Sequence, residues 1–455
     1  MRLVPRVRTI LLRVTRARPD ELGAAVWAFV YFFALLASYY VLRPIRDEVS
    51  MEVGTAALQR LFLAVFLTML AVVPVFGWLT RRFPRRSWLP GVYLFFISNL
   101  VGFYAVLTAE GLQAAPWGSV FYVWVNVFNL FVVSVFWSVM AETFDVEQER
   151  RLYGFIAAGG TAGALVGPLI TSELIRLVGP TRLMLVSAGF LALAILAVGR
   201  LGAWRDRRER PSAPPSPETP AAATTAGPAA PPAGDFQGSL WSGLADVVRS
   251  PYLLGICAFL LGYTLLSTFL YFETAELLPR HVRDPAARTQ LLARLDLAVN
   301  VATLLLQVLT FQTLVARLGT RLVLASMPFL SLAGFVVLGA YPHIAVLLVF
   351  GLARRAGEYA LSKPARETLF NLLPLEQKYR AKNVIDTLVH RTGDTASAWA
   401  VSAMRAAGLE WMTISWLSVP IAGGWLGVSL WLGAAAERKR RALRTAPALP
   451  GAGQE

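Results

Sequence analysis

The sequence predicts an all-α membrane protein, with twelve transmembrane helices forming two pseudo-symmetric six-helix halves. Three observations carry this reading. The 455 residues are 56% hydrophobic and only 16% charged, with a mean hydropathy of +0.55; a soluble domain keeps about a quarter of its residues charged. Twelve stretches are apolar over roughly the 20 residues that cross about 30 Å of hydrocarbon. Short basic motifs recur at matching places in the two halves.

The chain opens with a basic segment, 1–21, and six arginines fall within the first 22 residues. No short apolar core followed by a small-residue cleavage site is present, so the expectation is a retained cytoplasmic segment. Six spans follow within 22–204, near 22–42, 58–79, 88–108, 117–141, 153–178 and 182–201. Between 205 and 238 the composition changes to Pro, Ala and Thr, with eight prolines after Arg210. Such a stretch cannot bury a core and reads as a disordered cytoplasmic tether. In 239–250, Leu240, Trp241, Leu244, Val247 and Val248 fall at helical spacing, which predicts a short amphipathic helix on the membrane surface. Six further spans lie within 251–436, near 251–273, 290–315, 321–341, 343–361, 384–407 and 412–435, before a tail at 437–455.

The net charge of +15 comes almost wholly from arginine. The basic residues gather at 2–18, 81–86, 150–151, 200–210, 363–382 and 438–444, whereas the turns near 109–116 and 341–343 carry none; the turn near 280–294 is the exception. Alternating basic loops follow the positive-inside rule. Both termini and the tether are thus expected in the cytoplasm, the chain spanning a bacterial inner membrane many times. The charge expresses topology and attraction to a lipid bilayer, not nucleic-acid binding. The single cysteine, Cys257, excludes an internal disulfide and a cysteine metal cluster, and no cofactor is expected.

An Arg or Lys at the centre of a span costs around 2.5–3.5 kcal/mol, so such residues mark interior or substrate-facing positions. Span one ends in "YYVLRPIRDEVS", which sets down Arg43, Arg46, Asp47 and Glu48 after some twenty apolar residues. Pro44 can break or kink the helix there. Arg43 and Asp47 share a face at i, i+4, leaving Arg46 free either to line a vestibule or to anchor at the interface. Span ten carries Arg354 and Arg355 near its middle, with Glu358 four residues after Arg354. Glu358 can neutralise one arginine, which leaves one positive charge for an anion; a packed internal pair is the structural alternative. In span eleven, Asp386, His390 and Asp394 are successive one-turn neighbours beside Arg391. They form either a proton or ion relay or a hydrogen-bonded interhelical network. Arg294 and Asp296 at the start of span eight, with Glu273 and Glu276 at the end of span seven, read as outer-rim salt bridges that close a gate. Asn126 and Asn129 in span four join neighbouring helices or touch substrate.

The halves echo each other. Leu79, Arg82 and Arg86 align with Leu314, Arg317 and Arg321, and Glu147, Gln148 and Arg151 with Glu376, Gln377 and Arg380. The loop "GWLTRRFPRR" (77–86) resembles the loop 2–3 signature of the major facilitator superfamily, Gly-x-x-x-Asp-Arg-x-Gly-Arg-Arg. Gly77, Arg82, Arg85 and Arg86 fit it; Arg81 replaces the acid and Pro84 the second glycine.

A narrower resemblance follows. "YYVLRPIRDEV" is similar to the span-one signature of the nucleotide transporter (ATP/ADP translocase) family, roughly Leu-Arg-Asp-Thr-Lys-Asp. Leu42, Arg43 and Asp47 match, Arg46 stands for its Lys, and Pro44-Ile45 replace Asp-Thr. Segments 135–165 and 362–386 resemble that family's span 4–5 and span 10–11 regions, including Lys382 and Asp386. The resemblance implies exchange of adenine nucleotides, with the basic residues at Arg46 and Lys382 serving the polyphosphate. Arginine suits that chemistry because guanidinium grips phosphate bidentately.

No Walker-type phosphate loop, His-x-x-Glu or Gly-x-Ser-x-Gly pattern occurs. "AAGGTAGALVG" (157–167) lies inside span five, where small residues serve close helix packing. The expected protein is therefore not an enzyme but a monomeric secondary transporter of an anionic small molecule, by exchange or symport. Two alternatives stand beside it: proton-coupled efflux of a small organic molecule through Asp386 and His390, and a non-transporting membrane scaffold.

Overall fold

The computed structural model describes residues 12, 15, 17–82, 85–111, 116–209, 240–309 and 311–445. Helices and short turns account for them, and no strand occurs among the described residues. Spans one to four are Leu22–Val53, Thr55–Arg82, Arg85–Glu110 and Trp117–Thr143. Spans five and six share the run Val146–Glu209, broken at Gly179, whose φ of 78° and ψ of 166° admit only glycine. The surface helix Leu240–Arg249 precedes span seven, Pro251–His281, and span eight, Pro285–Leu309. A second such break at Gly319, φ 73°, divides Phe311–Ala340, so that 320–340 forms span nine. Span ten joins Ile344–Gly357, a π-helical turn Glu358–Ser362, and Lys363–Phe370. Span eleven repeats that design with Leu375–Val384, a π-helical turn Ile385–Val389, and His390–Ala406. Span twelve is Trp411–Thr445.

Nine helices among the described residues are long and apolar enough to cross a membrane, and one of them, Val146–Arg208, holds two spans. Spans ten and eleven complete the twelve; their charges and π turns keep them from qualifying as single apolar helices.

Several boundaries differ from the expected ones, each for a local reason. Span one continues through Arg43, Pro44 and Arg46 to Val53, so these charges sit within the helix and do not end it. Proline removes only one donor, and neighbouring helices support the rest. Span six runs on through 205–209, where "RDRRE" is a good helix former that the proline-rich stretch interrupts only at Pro211. The tether from 210 to 239 lies outside the described residues, as do positions 83–84 of the loop signature. Span twelve likewise extends to Thr445, ten residues past the expected end near 435, through another Arg-rich helical run.

Two compact units emerge. The first comprises the described residues up to 209 together with 278–300, and the second comprises 240–277 with 301–445. The end of span seven and start of span eight therefore belong with spans one to six, not with the rest of the second half. Gln290 donates to the carbonyl of Ser172 at 2.7 Å and Asn300 to that of Ala164 at 2.6 Å, which ties this segment to span five.

Within the first unit, span one is the axis. Span five lays its glycines directly on it: a Cβ at Gly159 would meet the Phe29 carbonyl at 2.4 Å, and one at Gly163 the Phe33 carbonyl at 2.4 Å. Such contact lets dispersion hold helices together where lipid provides no hydrophobic drive. Phe32 stacks on Phe136 with centroids 4.0 Å apart, Tyr31 and Tyr93 share a hydroxyl hydrogen bond, and Ser38 meets Ser187 at 2.7 Å. In the second unit spans nine and twelve pack closely, the Cα of Arg321 lying 2.5 Å from where a Cβ of Gly433 would be. The surface helix seats Gly243 against the carbonyl of Arg380 and the side chain of Val384 on span eleven. Val247 is buried there, whereas Val248 faces outward.

Candidate functional site

Span one delivers two arginines to the first unit. Arg46 donates from Nε and Nη2 to Oδ1 of Asp47, at 3.0 and 2.6 Å, and from Nη1 to Oδ1 of Asn126 at 3.2 Å. Its guanidinium also lies over the Tyr122 ring, 5.7 Å from the centroid. Asp47 thus serves Arg46 and not the expected i, i+4 partner Arg43. Arg43 turns instead to Asp296, with Nε 3.5 Å from Oδ2. The adjacent Arg46 wins because its fork reaches one Asp47 oxygen twice while Asn126 holds the third donor. Asn129 is half-buried, and Arg294 points outward while Asp296 is buried against Arg43.

In the second unit the expected Arg354–Glu358 pair is not formed. Arg354 reaches away from it, donating to Ser331 Oγ at 3.1 Å, Ser267 Oγ at 2.8 Å and the carbonyl of Tyr263 at 2.9 Å. The rings of Tyr263 and Trp425 flank its guanidinium at 5.0 and 5.9 Å. Three acceptors and two ring faces satisfy this buried cation better than a single carboxylate one turn along. Glu358 begins the π turn, is only 5% exposed, and its Oε2 accepts no hydrogen bond among the described residues. Arg355 is half-buried.

The π turn of span eleven splits the expected Asp386–His390–Asp394 stack. A π turn hydrogen-bonds i to i+5 and so puts Asp386 and His390 out of one-turn register. Asp386 approaches Arg366 of span ten at 3.7 Å, while His390 Nδ1 lies 3.2 Å from Asp394 Oδ2. Arg391 Nη1 reaches the same Asp394 oxygen at 3.6 Å. Lys382 pairs with Glu367 of span ten at 2.6 Å. Glu276 pairs with Arg405 of span eleven at 2.7 Å, and Arg405 lies over Trp411; Glu273 is buried. No group of His, Cys, Asp and Glu able to hold a metal ion occurs among the described residues, and Cys257 is buried as a free thiol.

The sequence of this chain matches the Major Facilitator Superfamily over residues 22–353. The chain belongs to that superfamily. It is a multi-pass membrane protein and a secondary transporter by family. Among solved structures it is similar to a bacterial homologue of the iron transporter ferroportin, with TM-score 0.59, 14% identity, and 92% and 98% of the two chains covered. It is also similar to an auto-inhibited POT family peptide transporter, with TM-score 0.56, 16% identity, and 91% and 97% covered. A third is a bacterial homologue of the lysosomal transporter Spinster, at TM-score 0.50, 15% identity, and 98% and 100% covered. At these identities the likeness is one of fold. No curated protein sequence matches the chain.

This member of the superfamily also contains polar clusters that sequence reasoning passed over. Arg288, in the basic turn that broke the alternation, is buried and donates to Glu48 from Nε at 2.9 and 3.0 Å; its Nη2 also contacts Glu52. Its Nη1 donates to the carbonyls of Val282 and Arg283. The odd placement of a basic loop was the signal available. At the opposite end, Arg151 grips Glu21 bidentately at 3.0 Å through each Nη, and Gln148 Nε2 adds a 2.9 Å bond. Burial alone would raise the Glu21 pKa, but the bonds from Arg151, the Arg18 backbone N–H and Gln148 bring it down to about 2. The repeated Glu-Gln-x-x-Arg motif thus anchors the segment entering span one, and in the second half its counterpart Arg380 lies under the surface helix.

Proposed function

We propose that the protein moves a phosphorylated or carboxylated anion, nucleotide-like in the first instance, by exchange or symport through alternating access. The observation that supports it most is Arg391. It lies within span eleven, its side chain is 30% exposed, and its one carboxylate partner among the described residues is an oxygen shared with His390. A guanidinium so served keeps donors available for a bidentate phosphate or carboxylate. Arg46, held by Asp47 and Asn126, is the cation of the first unit that this reading assigns to the anion. The resemblance of "YYVLRPIRDEV" and 362–386 to nucleotide transporters motivates the nucleotide, with Arg46 and Lys382 toward the phosphates. The basic loops support an inner-membrane location with both termini cytoplasmic, the chain acting as a monomer.

Counter-exchange in proteoliposomes tests this. Vesicles loaded with unlabelled ADP would be offered labelled ATP, using wild type, Arg46→Ala and Arg391→Ala. Uptake that requires internal nucleotide and disappears in both variants is expected. A folded wild type that moves no nucleotide removes the substrate, and uptake indifferent to both arginines removes the site.

Proton coupling is a second reading, favoured by Glu358: a buried carboxylate beside a π turn, with one oxygen that accepts no hydrogen bond among the described residues, is suited to carry a proton. Here Glu358→Gln would abolish uphill accumulation driven by a pH gradient yet leave counter-exchange intact.

A further inference from the structure

The second unit carries a group of cations that the transport reading does not use. Near the end of span twelve, Arg440 donates from Nη1 to Thr320 Oγ1 at 2.7 Å and from Nη2 to Thr368 Oγ1 at 3.2 Å. The neighbouring Lys439 ammonium sits over the Tyr252 ring, 4.9 Å from its centroid, and Tyr252 itself donates to the carbonyl of Leu369 at 3.1 Å. Four elements therefore converge: the start of span seven, the start of span nine, the end of span ten and the end of span twelve. Every fixed partner of these two cations is neutral. Among the described residues no carboxylate lies within 4.0 Å of Arg440 or Lys439.

Two hydroxyls orient a guanidinium without cancelling its charge, so the arginine is held in place while its positive field remains. Lys439 over an aromatic face is likewise steadied without being neutralised. On the same helices, two residues after Tyr252 and Thr320, Leu254 is 45% exposed and Leu322 49%. An anchored pair of cations on helices with exposed aliphatic side chains suits a phospholipid, whose headgroup phosphate needs a fixed positive charge in apolar surroundings. All four element ends lie on the side of the protein that bears the basic loops, which is the leaflet where anionic lipids attract polybasic segments.

We propose that Arg440 and Lys439, set by Thr320, Thr368 and Tyr252, form a binding site for the phosphate of an anionic phospholipid of the cytoplasmic leaflet. The site is separate from the arginines assigned to substrate, and it rests on the proposed function only for the leaflet. Arg440 holds the phosphate oxygens through its fork, and Lys439 adds a second charge. A lipid held there would tie spans seven, nine, ten and twelve together at one end.

Native mass spectrometry of the full chain, released from vesicles of equal phosphatidylglycerol and phosphatidylcholine, tests the site. Wild type is expected to retain phosphatidylglycerol preferentially. Each interfacial cation is worth around 1 kcal/mol toward an anionic surface, about a fivefold change in affinity, so Lys439→Gln/Arg440→Gln should lose that preference by about tenfold or more. Arg438→Gln, which changes an exposed neighbour, should keep it. The thermal midpoint in lipid-free detergent checks that the double variant folds; if it does not, Lys439→Gln alone carries the test, since its ammonium makes no hydrogen bond among the described residues. Equal retention of both lipids by wild type, undiminished preference in the variant, or displacement of the lipid by millimolar inorganic phosphate would each overturn the proposal. The last outcome would mark a site for a soluble phosphate.

Discussion

Arg288 and Glu48 form a buried ion pair in which Nε of the arginine contacts both carboxylate oxygens, at 2.9 and 3.0 Å. The two residues are 240 positions apart, and their pairing explains why the segment 278–300 groups with span one. The remaining donors of Arg288 reach Glu52 and two carbonyls. A buried charge satisfied this fully is costly to orphan, because the partner left behind keeps its desolvation penalty.

Removing one member should therefore cost about 3–5 kcal/mol, and removing both much less. Arg288→Met is expected to lower the thermal midpoint of the purified protein sharply, and Arg288→Met/Glu48→Leu to recover a large part of the loss. A double variant as unstable as the single would mean that packing, not charge, holds the segment.

Gly163 has no room for a side chain: a Cβ there would lie 2.4 Å from the Phe33 carbonyl and 2.8 Å from the Ala37 nitrogen. Gly163→Val should force spans one and five apart at a cost of about 1–3 kcal/mol or more. Gly154→Ala, earlier on the same helix and in open space, should be neutral or stabilising by about 0.4–1 kcal/mol. Expression level and melting of the two variants decide the matter; similar losses at both glycines would contradict close packing as the cause.

Arg354 spends its fork on three acceptors from spans seven and nine. A lysine offers no planar fork and cannot meet all three. Arg354→Lys should lose about 1.5–3 kcal/mol for each charged hydrogen bond it fails to replace. Ser267→Ala and Ser331→Ala should each lose part of that, and stability assays in which the serine variants match wild type would assign Arg354 elsewhere.

Glu21 precedes span one, and its bonded carboxylate titrates at about 2 instead of the ordinary 4.5. A depressed pKa means that the contribution of this group to stability is full above about pH 4.5 and fades as the pH falls toward about 2. Thermal midpoints measured across that window should fall more steeply for wild type than for Glu21→Gln. Parallel curves would show that Glu21 does not contribute to the acid response.

Much of the fold was legible because bilayer thickness acts on composition one residue at a time. Twelve apolar stretches, the alternation of arginines and the surface helix at Leu240–Arg249 all follow from local hydropathy and charge. Glycines 159, 160, 163 and 167 were likewise readable as a packing stripe, since a run of small residues in a span has few other uses. The site was legible only as an inventory. Arg43, Arg46, Asp47, Arg354, Asp386 and His390 stood out as charges in apolar surroundings, but their partners did not, because helical spacing assumes an unbroken α-helix and neighbours on the same chain segment.

Two facts that only the tertiary structure decides upset that assumption. The π turn at Ile385–Val389 shifts the register of span eleven, so Asp386 leaves the partner that a 3.6-residue period assigns it, while Arg354 leaves Glu358 for acceptors on spans seven and nine. Long-range contacts then choose new ones: Arg43 with Asp296, Arg366 with Asp386, Arg288 with Glu48. The sequence by itself determined which residues must enter the membrane and which of them bear charge, since both are properties of a single helix against lipid. Which charge meets which was decided by the folded protein, because an ion pair depends on the distance between helices that no one segment encodes.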